Sequence, residues 1–182
     1  MESLLDYAIS PAGPADADDL ARVHVRSWRE TYPGLLPQAY LSRMSVKLSA
    51  RRFRHDLERA EPGMVTLIAE GEDGAVGYAG GALLKGEGRG ADAEVFTLYV
   101  LKSAQGSGVG KALLRASARV LRAEGAASLM LFVLAGNHRA RAFYEHLGGE
   151  LFAEVEAKGW GPGVTEAAYR WSSIDALCSL PP

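Results

Sequence analysis

Residues 105–114 read QGSGVGKALL, from Gln105 to Leu114. Glycine stands at every second position from Gly106 to Gly110, then comes Lys111, and then the apolar spacing of a helix begins. Just upstream lies EVFTLYVL, Glu94 to Leu101, apolar on both faces after its first residue. Such a strand is central in its sheet and covered by helices. A glycine-rich turn between a buried strand and a helix offers backbone N–H groups at the helix N-terminus, with no side chains to block a bulky anion.

Two phosphate cradles fail on inspection. A P-loop needs glycine, four residues, then Gly-Lys-Ser/Thr. With Gly110-Lys111 as its Gly-Lys, the first glycine falls on Gln105 and the magnesium-binding hydroxyl on Ala112, which disfavours a nucleotide-dependent kinase. The dinucleotide fingerprint G-x-G-x-x-G ends on Lys111 when counted from Gly106 and on Leu113 when counted from Gly108. What remains is Gln105-x-x-Gly108-x-Gly110, with Lys102, Lys111 and Arg115 adding positive charge. A pyrophosphate suits such a turn, but on the glycines alone a ligand-free tight turn fits equally well.

The rest of the chain supplies the context. Its 182 residues, 48% hydrophobic and 23% charged, fit one domain over 1–182 with its own core. A net charge of -2 gives no global basic field for nucleic acid. The lone Cys178 excludes an internal disulfide or a multi-cysteine metal site, and no metal is expected. No apolar run approaches a membrane span and the N-terminus lacks the pattern of a signal peptide, so a cytoplasmic protein is expected. Periodicity predicts a strand over Tyr7–Ser10, a helix opened by Asp16, Asp18 and Asp19 and stopped at Pro33-Gly34, and helices over Gln38–Arg43 and Ser45–Ala60. A hairpin follows, Met64–Ala69 and Ala75–Leu84, then the glycine-bearing loop Lys85–Ala91, read as a mobile connection or a lid rather than a phosphate cradle. After the helix that follows the glycine turn, with Val109, Leu113, Ala116 and Val120 as its buried stripe, come a buried strand over Ser128–Leu134 and a helix from Asn137 that ends at Gly148-Gly149. Two late strands, Glu150–Lys158 and Thr165–Trp171, flank the loop Gly159–Gly163. This order is a mixed α/β fold, a central mixed sheet flanked by helices.

Against this background LYVLKSAQGSGVGKALL resembles the coenzyme A motif of the GNAT superfamily of acetyl-CoA-dependent N-acetyltransferases: an apolar strand, Gln/Arg-x-x-Gly-x-Gly/Ala, and a helix. NHRARAFYEHLGG is similar to the superfamily's second signature, here Asn137, Ala140, Tyr144 and Gly148. The motifs stand in the family's order, one helix and one strand apart, and SWRETYPGLLP (Ser27–Pro37) resembles the N-terminal helical region of many bacterial members. Lys102 and Gly149 depart from the proline and phenylalanine often found there.

The resemblance implies a GNAT fold whose fourth and fifth strands splay apart to admit the pantetheine arm of acetyl-CoA as cosubstrate. Backbone groups of Leu98, Tyr99 and Val100 would bind that arm. The amides of Gln105, Gly106, Ser107, Gly108, Val109, Gly110 and Lys111 would hold the pyrophosphate, and Asn137 would add a hydrogen bond. Tyr144 takes the place of the general acid that protonates the departing thiolate, since a phenol of pKa about 10 donates to a thiolate of about 8.5 to 10 with little mismatch. Periodicity with Phe143 and Leu147 alone would make it a core residue. Glu94, at the start of the central strand, is the candidate base, with His24, Glu30 and Asp92 behind it; Trp28, Tyr32 and Trp160 are candidates to wall the acceptor pocket. The implied reaction is direct transfer to a primary amine of a small molecule or peptide: a polyamine, an aminoglycoside, an amino acid or a protein N-terminus. A non-catalytic acyl-CoA-binding or sensing protein on the same fold is the alternative. No nucleic-acid or membrane partner is expected, and the choice between monomer and homodimer is open.

Overall fold

The computed structural model describes residues 7–86, 90–159 and 163–181. Trp160, part of the loop over 85–91 and the middle of the loop over 159–163 lie outside the described residues. Strands β1 (Ala8–Pro11), β2 (Met64–Gly71), β3 (Gly74–Leu83), β4 (Ala93–Val100), β5 (Leu129–Leu134), β6 (Glu150–Glu156) and β7 (Thr165–Trp171) form a seven-stranded sheet in the order β1-β2-β3-β4-β5-β7-β6. All neighbouring pairs are antiparallel except β4 with β5. The apolar strand read as central is the fourth of the seven.

Helices α1 (Ala17–Thr31), α2 (Gln38–Arg43) and α3 (Val46–Glu58) precede the hairpin; α4 (Val109–Ala123), α5 (His138–His146) and a short α6 (Asp175–Cys178) follow the central strand. α1 starts one residue after Asp16, behind a 3-10 turn, and Ser45 stands outside α3 as its N-cap, accepting from Leu48 N–H at 3.4 Å. One face of the sheet carries the main core, in which Val109, Leu113, Leu114 and Leu121 of α4 meet Tyr144 of α5 and Leu147 just after it. The stripe expected on α4 rotates: Ser117, Ala118 and Leu121 are buried, while Val120 faces out. The apolar face is wider than a single row at steps of three and four, and the sheet takes its other half.

The opposite face is aromatic. His24 of α1 is hydrogen-bonded through Nδ1 to the Tyr78 hydroxyl at 2.8 Å and packs among the rings of Trp28, Phe53 and Tyr99. Burial, helped by the Arg52 charge, lowers its pKa to about 4 from 6.5. A lowered pKa means the unfolded chain takes up a proton that the folded chain refuses. The stability due to neutral His24 is therefore complete above pH 6.5 and lost as pH falls toward 4. At 1.36 kcal/mol per pKa unit, urea unfolding is expected to show a loss of about 2–3 kcal/mol on going from pH 7.5 to pH 4.5, with a smaller loss in His24→Gln. Equal pH dependence in the two proteins would contradict this account.

Candidate active site

Two features of the backbone open a gap in the middle of the sheet. At the start of β4, Asp92 Oδ2 accepts from the N–H groups of Ala127 (3.0 Å) and Ser128 (2.9 Å) and from the Ser128 hydroxyl (2.9 Å), clamping β4 to the approach of β5. Beyond it the two strands pair only through Ala93↔Leu129 and Glu94↔Met130. Then β4 bulges: Gly81 faces Val95 and Gly80 faces Thr97, leaving Phe96 without an opposite residue. The bulge needs those two glycines of β3. A Cβ on Gly81 would stand 2.6 Å from the Glu94 carbonyl oxygen, and one on Gly80 2.7 Å from Thr97 Oγ1. A bulge bends its strand and increases its twist, so the two strands diverge from here on.

Hydrogen-bond alternation shows what lines the gap. Leu101 N–H donates to the Val76 carbonyl at 2.9 Å, and Tyr78 is opposite Tyr99 in the same register. Alternate residues of an antiparallel strand bond to the same neighbour. Tyr99 therefore spends its main chain on β3, and Leu98 and Val100 turn theirs toward the gap. Of the three residues expected to bind a pantetheine arm, only these two are free to do so. The Val100 carbonyl is already engaged by Gln105 Nε2 at 3.0 Å, which ties the glycine turn to the end of β4.

The turn has the expected build. Gly106 and Gly108 have φ of 88° and 90°, values that L side chains rarely adopt. A Cβ on Gly106 would meet nothing within 4 Å. Ser107 Oγ donates to the Ala104 carbonyl at 2.6 Å, and α4 begins after Gly108 with no side-chain cap. The first N–H groups of α4, those of Val109 and Gly110, thus lack intrahelical partners, and the helix dipole adds positive potential there. This arrangement fits a pyrophosphate. Gly110 has a second duty, since its α-carbon abuts Phe143, and a Cβ there would sit 3.4 Å from the ring. Arg115, one of the cations near the turn, donates from its Nη1 to the Leu180 carbonyl at 3.0 Å.

Tyr144 projects from α5 into the main core, 7% exposed, beside Phe143, Tyr169 and Trp171. Asn137 caps α5 by accepting from Ala140 N–H at 3.2 Å. The Tyr144 hydroxyl bonds to no group among the described residues. Burial, then the nearby Tyr32, pushes its pKa well above the ordinary phenol value. Relative to the near match expected from sequence, this environment shifts the phenol toward its protonated form. Tyr99, on the other side of the strand, and Tyr32 of α1 meet hydroxyl to hydroxyl at 3.5 Å. The charges of both interact with Tyr144. Three phenols thus converge on the gap; the side chain of Tyr99 was missed because its place in an apolar strand reads as core.

The candidate bases separate. Glu30 is taken by Arg26 (2.9 Å) and Lys102 N–H (2.8 Å), and Asp92 by its clamp. His24 is locked to Tyr78 in an aromatic box. Glu94 is half-buried near the closed end of the gap, opposite Ala82 and Met130. Trp28 and Tyr32 stack edge to face, ring centroids 5.0 Å apart, on the side of the sheet from which the Tyr99 ring rises. Trp160 lies outside the described residues. Among those residues no group of His, Cys, Asp and Glu could hold a metal ion, and no helix is long and apolar enough to cross a membrane.

The profile of the acetyltransferase (GNAT) family matches residues 22–149. Over 166 residues the chain is 31% identical to the uncharacterized N-acetyltransferase YuaI of Bacillus subtilis (strain 168), covering 91% of this chain and 92% of that protein. The PaiA N-acetyltransferase of Thermoplasma acidophilum, solved in complex with coenzyme A, shares the fold with a TM-score of 0.73 over 92% of this chain and 100% of that one, at 19% identity. YncA of Salmonella typhimurium, described as a putative acetyltransferase with its cofactor acetyl-CoA, gives a TM-score of 0.67 over 93% and 95%, at 18% identity. By fold and by sequence the chain belongs to the acetyltransferase (GNAT) family and is an acyltransferase.

Proposed function

We propose that this enzyme moves the acetyl group of acetyl-CoA directly to a primary amine. The observation that carries the reading is the β4/β5 gap, with the uncapped N-terminus of α4 at its open end and the Tyr144 hydroxyl beside it. Solved relatives of the same fold with coenzyme A and acetyl-CoA support it. The cosubstrate supplies an activated acetyl thioester. The amides of the turn over 105–111 hold its pyrophosphate, and the main chain of Leu98 and Val100 pairs with its pantetheine amides. An N–H in the gap, that of Leu98, faces the charge that develops on the thioester oxygen, as a fixed donor that needs no reorganisation. Glu94, directly or through water, takes the proton from the amine. Tyr144 donates to the departing sulfur. We place the reaction in the cytoplasm, in keeping with the single free cysteine, Cys178.

Free thiol released from acetyl-CoA across a panel of amines tests this reading. Turnover with any of them supports it; tight coenzyme A binding with no turnover across the panel would replace the enzyme with an acyl-CoA sensor.

A further inference from the structure

We propose that Glu166 anchors a second positive charge on the acceptor, which makes the acceptor class an aliphatic diamine or polyamine. This inference rests on the N-acetyltransfer reading and adds the recognition of the substrate to it. Glu166 is the second residue of β7, opposite Leu134, the last residue of β5, and opposite Val155 of β6. Directly paired residues put their side chains on the same face. Leu134 belongs to a cluster with Leu36 against which Trp28 and Tyr32 pack, so Glu166 rises on the aromatic side of the sheet, at the open end of the gap.

Its surroundings lack a counter-charge. Glu166 is half-buried, and no Lys, Arg or His among the described residues pairs with it. Other acidic groups on this side have partners: Glu30 has Arg26, Asp18 has Arg54, and Asp19 has Arg22. Burial raises the Glu166 carboxyl above its ordinary pKa, as expected of a carboxylate shielded from water without a cation. Burial also raises the neighbouring Tyr32 phenol; its bond to Tyr99 eases it, and the Glu166 charge raises it further. A cation bound there relieves the cost of the half-buried charge.

The position of the second carboxylate sets the shape of the acceptor. Glu94 is level with Met130, four residues before Leu134 on β5, so about 13 Å of strand separates the two levels. Trp28, Tyr32 and Tyr99 stand on the same face. Ring faces attract cations and methylene chains alike. A flexible chain with an amine at each end can present one nitrogen to the reaction and leave the other with Glu166.

1,8-Diaminooctane and octylamine share a carbon chain long enough to reach between the two levels and differ by one cationic group. On protein saturated with coenzyme A, isothermal titration is expected to give the diamine about tenfold higher affinity than octylamine. E166Q is expected to remove the difference without changing coenzyme A affinity. Equal affinities in the wild type, or a preference that survives E166Q, would overturn the anchor. Thiol release that falls equally for both amines in E166Q would also overturn it, because Glu166 would then act on the reacting nitrogen. The preference lost in E166Q with no thiol release from any amine would uphold the anchor and overturn the transfer reading instead.

Discussion

Replacing Tyr144 with phenylalanine is expected to lower kcat on the order of 100-fold, with little change in the KM for acetyl-CoA. The variant keeps the ring that packs against Phe143, Tyr169 and Trp171, and the lost hydroxyl has no partner among the described residues. The melting temperature should therefore stay the same, which separates a chemical effect from a structural one. Unchanged kcat would reduce Tyr144 to a packing residue. The pH profile gives a second test. Burial raises this phenol, so the protonated donor persists to higher pH than in a free tyrosine. Activity should show no fall due to Tyr144 on the basic side up to pH about 10.

Gly108→Glu is expected to weaken coenzyme A binding roughly 30- to 100-fold, measured by isothermal titration. The new carboxylate would stand beside the uncapped N-terminus of α4, where the pyrophosphate is proposed to lie. Two unit charges 4 Å apart repel by about 4 kcal/mol at an effective dielectric of 20, and exposure reduces this to about 2–3 kcal/mol. Gly108 has φ 90°, so any side chain there also strains the turn. Gly108→Lys carries the same strain with the opposite charge. A loss confined to the glutamate variant is electrostatic, and one shared by both is conformational. Full affinity in Gly108→Glu would take the turn out of the site.

Much of this architecture is written in local patterns. The apolar run over 94–101, the glycines that follow it and the helical spacing after them dictate a buried strand, a tight turn and an open helix N-terminus, because φ preference and periodicity act within a few residues. Asn137, Ala140, Tyr144 and Gly148 likewise fix a capped helix with one phenol on its inner face. Long-range pairing decided the rest. Gly80 and Gly81 read as ordinary strand residues until Glu94 and Thr97 are brought opposite them, and only then does the bulge that opens the gap have a cause. Trp171, distant in sequence, fills the volume beside Gly149: a Cβ there would lie 2.8 Å from the indole, so a larger residue has no room here. Glu166 reads as one glutamate at the edge of a strand until β7 is inserted between β5 and β6, which sets it next to Tyr32. The sequence by itself determined the turn and the helix that present the donors, since those depend on backbone preference. Which side chains face one another across the gap was decided by the tertiary structure alone, because strand order and register join residues that no local pattern links.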